Sequence, residues 1–150
     1  MQNGNLKQGT HYAAYDSGTP LEWMDHTLEI QGLGEIRGKQ FLKDILQFTG
    51  CEISVNSLPS GASMPVYHQH QENEEIYIFI QGQGQMQIDE EIIDVKEGSV
   101  IRIAPNGVRT WRNNGNQPLL YIIVQMRENS LRQYSIGDGI VLDKAVTWPN

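Results

Sequence analysis

The chain has 150 residues, 39% hydrophobic and 19% charged, which fits one globular domain with a core of its own. A net charge of −7 without a basic cluster argues against nucleic-acid binding, which needs many Lys and Arg contacts to phosphates. The single cysteine, Cys51, excludes an intrachain disulfide and favours a reducing, cytoplasmic location. No apolar run suits a signal peptide or a membrane span, so we expect neither.

Residues 1–38 are polar and rich in glycine, and we expect an irregular N-terminal arm there. The turn-forming residues of 16–20 separate this arm into two parts. The stretch Leu21–Ile30 suits a helical turn or two.

Residues 39–130 change in texture, because short apolar runs alternate with turn residues. Seven such runs, with no long helical pattern between them, predict an all-β, antiparallel sandwich or barrel. The predicted strands are Cys51–Leu58, Met64–His70, Glu75–Gln81, Gln85–Ile88, Ile92–Val95, Val100–Ala104 and Leu119–Met126. A C-terminal tail, residues 131–150, is expected to pack on the barrel and offers one more possible strand, Ile140–Leu142.

A His-x-His tripeptide is the strongest chemical signal in the chain. His68 and His70 lie two residues apart, so in a strand both imidazoles point to the same face. Glu75 begins the next strand, and two imidazoles with one carboxylate form a facial set for a divalent metal with open positions. Glu74 is the alternative carboxylate, although its side chain should point the opposite way. The alternative interpretation is a hydrogen-bonded pair of strand histidines without a metal.

Alternation also predicts the lining of a cavity. If the two histidines face inward, so do Met64 and Val66, and an inward Glu75 brings Tyr77 and Phe79 with it. A mostly apolar cavity with a few polar groups is typical of a small-molecule site, but the same apolar residues also suit plain barrel core. Arg102 is expected to point outward.

Two glycine-bounded stretches carry a family resemblance. They read Gly61-x(6)-His68-x-His70-x(4)-Glu75-x(6)-Gly82 and Gly98-x(6)-Pro105-x-Gly107-x(2)-Thr110-x(3)-Asn114. From residue 50 to 126 the chain resembles the cupin superfamily of small β-barrels. The resemblance implies a double-stranded β-helix, the cupin jelly-roll barrel, and a divalent transition metal (Zn, Fe, Mn or Ni) held by His68, His70 and Glu75.

The second stretch departs from the family pattern. Thr110 occupies the place of the third metal histidine, and its neighbour Arg109 stays protonated and cannot ligate a metal. The expected site therefore has three protein ligands, with Thr110 placed to contact a metal-bound water. Trp111 and Tyr121 lie near this stretch and are expected to form a rim or wall of the cavity.

The face opposite Glu75 predicts an assembly. Ile76, Ile78 and Ile80 give this strand a second apolar face, which the terminal arms or a second subunit must cover. Cupins commonly dimerise through their sheets, so the resemblance implies a homodimer.

Two classes of function follow from the sequence. In the first, the chain is a small cupin that binds a small polar molecule inside the barrel, at a divalent metal. In the second, it is a metal-dependent enzyme, of dioxygenase or isomerase type, acting on a small organic acid or sugar. Fold alone does not choose between them, because one barrel hosts many chemistries.

Overall fold

The fold is all-β and antiparallel, as predicted. The computed structural model describes residues 6–149, so residues 1–5 of the arm and Asn150 of the tail lie outside the described residues. The strands are β1 Lys7–Gly9, β2 Tyr12–Ala14, β3 Thr27–Ile30, β4 Gly34–Arg37, β5 Lys39–Phe41, β6 Glu52–Leu58, β7 Asn73–Gln81, β8 Gln83–Ile88, β9 Glu91–Lys96, β10 Val100–Ile103, β11 Arg109–Arg112 and β12 Leu119–Arg127. A 3-10 helix spans Pro20–Asp25, and a single helical turn, α1, spans Lys43–Leu46.

Two sheets form a jelly roll. One has five strands in the order β10-β7-β12-β6-β5, and the other has three in the order β11-β8-β9. Every pairing is antiparallel, and β12 lies between β6 and β7 although the three are far apart in sequence. Two further hairpins, β1-β2 and β3-β4, come from the N-terminal arm.

The core lies between the inner faces of these sheets. In β7 the buried positions alternate with half-buried ones, since Glu75, Tyr77 and Phe79 point inward while the isoleucines between them point outward. From the smaller sheet, Met86 and Trp111 pack against the same cluster. The aromatic rings meet edge to face or tilted, an arrangement that aromatic pairs prefer.

Two glycines permit the tight connection after β7. Gly82 has φ +86°, and a Cβ there would lie 2.5 Å from the carbonyl oxygen of Pro118. At Gly84 a Cβ would lie 2.5 Å from the carbonyl oxygen of Arg112. The chain therefore passes close to Pro118 before β12 and to the end of β11 only because these two positions lack a side chain.

The N-terminal arm packs on the larger sheet. The 3-10 helix contacts β6, and its Trp23 is buried. The predicted helical stretch 21–30 is helical only in its first part, because Thr27–Ile30 pairs with Gly34–Arg37 as a hairpin. The β-branched and apolar side chains of this hairpin find cover against the barrel, which outweighs local helix preference.

The second predicted strand, Met64–His70, does not form. Only isolated bridges hold this segment, one from Ser63 to Arg112 and one from His68 to Arg109. Pro65 lacks the N–H that a ladder needs, which accounts for the irregular backbone.

The C-terminal tail does not pack on the barrel. Residues 129–149 are exposed throughout, and the predicted strand Ile140–Leu142 is absent, with Val141 99% exposed. Isolated from a sheet, three apolar residues have no partner for their backbone groups. Within residues 6–149, no helix has the length and apolar character needed to cross a membrane.

Candidate metal centre and cavity

A cavity of about 350 Å³ opens inside the barrel beside the His-x-His segment. Its volume falls at the small end of the range for small-molecule sites. The wall contains all three predicted metal ligands and four of the predicted pocket residues, namely Met64, Val66, His68, His70, Glu75, Tyr77 and Trp111. Most of the wall surface is apolar, and its polar groups include the His68, His70 and Glu75 group and, from β5 and β6, Lys39, Glu52 and Ser54.

The three predicted ligands converge. Ligand atoms of His68, His70 and Glu75 all lie within 4.8 Å of one another. His70 Nε2 is 3.1 Å from Glu75 Oε1, and His68 Nε2 is 3.8 Å from Glu75 Oε2. Atoms bound to one metal at about 2.0–2.2 Å lie roughly 3–4 Å apart, so these spacings fit a divalent ion. The group could hold a metal ion.

Glu75 is buried, and its second oxygen is already in use. Arg109 Nη2 and the Tyr77 hydroxyl both donate to Oε2, the latter at 2.7 Å. Burial alone would raise the pKa of Glu75, but His68, Arg109 and Tyr77 outweigh it and hold that pKa well below its usual range. Glu75 is therefore a carboxylate, and Oε1, which faces His70 Nε2, is the oxygen without an arginine or tyrosine donor and could serve as a metal ligand.

Tyr77 is held in its neutral form. Burial and the neighbouring Glu75 carboxylate raise the pKa of its hydroxyl far above the usual range. Its O–H therefore stays a donor to Glu75 and fixes the carboxylate plane. Gln125 approaches from β12, and its amide nitrogen lies 3.1 Å from His70 Nδ1 and 3.2 Å from His70 Nε2, so it contacts the edge of the second imidazole.

Arg109, not Thr110, occupies the interior position on β11, which corrects the sequence prediction. Arg109 is fully buried, whereas Thr110 pairs with Gln87 on the outer face of the smaller sheet and lines a separate surface groove. The reason is strand alternation: Trp111 belongs to the core, so the residue two before it must also face inward. The P-x-G turn suggested the wrong register, by one residue.

The asparagine of the second stretch shows the same shift of one residue relative to the motif. Asn113, rather than Asn114, is buried, with its amide donating to the carbonyls of Leu58 and Gln117 at 2.8 Å each. Its oxygen accepts from Gly115 N, so every polar group of this side chain is used.

Two predicted pocket residues are core instead. Phe79 and Tyr121 face inward but are almost fully buried and do not line the cavity, since their rings pack together with centroids 5.6 Å apart. The Tyr121 hydroxyl accepts a hydrogen bond from Trp111 Nε1 at 2.8 Å. Strand alternation correctly predicted that both side chains face inward. It could not predict whether an inward side chain lines the cavity or is packed in the core, because that depends on the neighbouring strands.

The structure confirms the predicted directions of two other charged groups. Arg102 points outward and forms ion pairs with Glu74 and Glu128. Glu74 is therefore engaged on the outer face, and Glu75 is the carboxylate of the site.

Several cavity residues escaped sequence analysis. Lys39 and Phe41 come from β5, Ser54 from β6, and Ile30 and Leu33 from the hairpin of the N-terminal arm. Gly38, which joins this hairpin to β5, has φ +76° and lies directly against the backbone of β6. A Cβ at this position would lie only 2.2 Å from Ser57 O, so the close packing requires glycine. Lys39 is the first residue of a three-residue strand, so no alternation of apolar and polar residues predicts its direction. Its place on the cavity wall is evident only from the fold.

Known proteins place this chain in a family. The model of the cupin domain (Cupin_2) matches residues 55–125. A cupin protein from Bacteroides fragilis is 39% identical over 69% of this chain and 88% of its own, with a TM-score of 0.67. The chain therefore belongs to the cupin family, and the small single-domain jelly roll is the class that its fold and its His-His-Glu group define.

More distant structures share the fold alone. A predicted oxalate decarboxylase from Thermotoga maritima is 23% identical over 68% of this chain and 90% of its own, with a TM-score of 0.57. A Cupin 2 conserved barrel domain protein from Salinispora arenicola is 18% identical over 69% and 83%, with a TM-score of 0.55. No curated protein matches the chain.

Proposed function

We propose that this protein binds a small molecule inside the barrel, next to a divalent metal held by His68, His70 and Glu75. The observation that carries the proposal is the convergence of the three donors on the wall of a 350 Å³ cavity. Carboxylate and imidazole together suit Zn, Fe, Mn or Ni. A metal there supplies Lewis acidity to an oxygen of the bound molecule.

The chain's own residues would do the rest of the binding. Arg109 and Tyr77 hold Glu75 ionised and oriented through Oε2, so that Oε1 faces His70. Ile30 and Leu33 add to the apolar part of the wall, which would accept the carbon skeleton of the ligand. The alternative proposal is a metal-dependent enzyme. Turnover of a substrate by the metal-loaded protein would distinguish it from a protein that only binds its ligand.

Metal content tests the proposal. The protein is stripped with chelator, loaded separately with Zn²⁺, Mn²⁺, Fe²⁺ or Ni²⁺, desalted and assayed by elemental analysis. We expect about one metal per chain in the wild type and none in His70→Ala. His11→Ala is the matched control, because His11 is exposed in the arm, and it should retain the metal. Equal metal content in wild type and His70→Ala would contradict the proposal.

A further inference from the structure

Lys39 brings an ammonium group to the cavity without an ion-pair partner. Its Nζ donates to Ser54 Oγ at 3.0 Å and to Asn56 Oδ1 at 2.9 Å, and it lies 4.8 Å from the centre of the Phe41 ring. Both acceptors are neutral, and among residues 6–149 no carboxylate lies within 4.0 Å of it. A charge removed from water without a counter-ion is costly, so this position calls for an anion.

The other charges on the cavity wall do not fill this need. Glu75 already forms an ion pair with Arg109. Glu52 accepts a hydrogen bond from the backbone N–H of Lys43 at 2.9 Å, which holds its carboxylate toward α1. Burial is the larger effect on Lys39 and lowers the pKa of its ammonium to about 8. The negative charges of Glu75 and Glu52 act in the opposite direction, because they favour the protonated form of Lys39.

The donors near Lys39 suit one carboxylate. Two of the three N–H groups of an ammonium are used by Ser54 and Asn56, which leaves one for a ligand oxygen. A phosphate dianion would need more donors than this and would meet repulsion from Glu52 and Glu75. A neutral sugar would leave the ammonium uncompensated. A monocarboxylate supplies a single charge and one strong, charge-assisted hydrogen bond.

We propose that Lys39 is an anion-binding residue whose ammonium takes the carboxylate of a small organic acid in the cavity. The proposal rests on the proposed function, because it names the class of molecule that the cavity binds. The rest of the acid lies against the apolar wall formed by Leu33, Val66 and Ile123, in reach of the His68 and His70 side of the same cavity.

The test compares an acid with its neutral amide. Hexanoate and hexanamide share shape and carbon chain but differ in charge, and each is titrated calorimetrically into metal-loaded and metal-free protein. We expect the wild type to bind hexanoate at least tenfold more tightly than Lys39→Met does, because a charged hydrogen bond is lost. Hexanamide should bind both proteins equally. Lys43→Met is the matched control, since Lys43 is an exposed lysine paired with Asp44, and it should bind hexanoate like the wild type.

A second measurement observes the lysine itself in the wild type. The protein is produced with lysine labelled with ¹³C at Cε, and the Lys39 Cε resonance, assigned by its absence in Lys39→Met, should shift with hexanoate but not with hexanamide, while the Lys43 resonance stays fixed. Equal hexanoate binding by wild type and Lys39→Met, with no shift, would overturn the role of Lys39 and leave the cavity's binding function intact. If neither probe binds the wild type, the carboxylate proposal fails, and metal content judges the proposed metal site separately.

Discussion

Arg109 brings a permanent positive charge into the barrel, at the inward-facing position of β11, next to Thr110, where the resemblance had placed the third histidine. Its guanidinium neutralises Glu75 and so lets a carboxylate stay ionised in a buried place. The same charge opposes a metal dication nearby. The arginine therefore fixes the carboxylate and would weaken the binding of a metal by His68, His70 and Glu75.

Arg109→His should tighten metal binding, because it removes a cation and adds an imidazole facing the site. We expect the Zn²⁺ dissociation constant to fall at least tenfold in competition with a chromophoric chelator. Thr110→His is the control and should leave the constant unchanged, since Thr110 faces outward. Circular dichroism checks that both variants fold. Tightening by Thr110→His alone would show that the register of β11 is wrong.

Lys39 gives stability a dependence on alkaline pH. Burial lowers its pKa to about 8 in the folded protein, from an ordinary lysine value of 10.5. Between these values the unfolded chain binds more protons at this group, so the free energy of unfolding rises with pH. The free energy of unfolding of the wild type minus that of Lys39→Met should increase with pH, by at most about 1.4 kcal/mol per pH unit, between pH 8 and 10.5. Urea unfolding of both proteins across this range measures it, and parallel curves would contradict it.

At the scale of elements, β11 decides the site. Its four residues alternate between the interior and the outer face, and it is anchored by pairing with β8. The close approach at Gly84 sets how near β8 comes to the strand end at Arg112, because only a hydrogen atom fits there.

Gly84→Ala should destabilise the protein by about 1–3 kcal/mol, the usual cost of overpacking. The added methyl group would meet Arg112 O at 2.5 Å and Leu119 Cδ2 at 2.8 Å. Gly50→Ala is the matched control, because nothing lies within 4 Å of its Cβ position and its φ is not positive. Urea unfolding compares the two, and equal midpoints would show that the corner adapts without strain.

At the scale of the whole molecule, the larger sheet keeps an apolar outer face. The arm covers β6 through Trp23, but Ile76, Ile78 and Val124 remain half-buried beside β10. The tail adds exposed apolar residues, including Leu142 and Trp148. Apolar surface of this extent favours association, and we propose that the chain forms a homodimer through the outer face of the larger sheet.

Light scattering should give twice the 17.0 kDa chain mass at micromolar concentrations. Ile78→Asp should shift the protein to the monomer, because it places an unpaired charge in the interface. Ile92→Asp is the control, since Ile92 is 65% exposed on the smaller sheet. A monomeric wild type, or dissociation by the control alone, would contradict the proposed interface.

The sequence by itself determined the all-β class, six of the seven predicted strands and the His68, His70 and Glu75 group. These features depend on local periodicity and on short spacing, which a linear pattern records. The tertiary structure alone decided that Arg109 rather than Thr110 faces inward. It also decided that Phe79 and Tyr121 belong to the packed core and that Lys39 lines the cavity. Each of these depends on the packing of strands distant in sequence, because the neighbour across the barrel, not the neighbour along the chain, sets burial and charge.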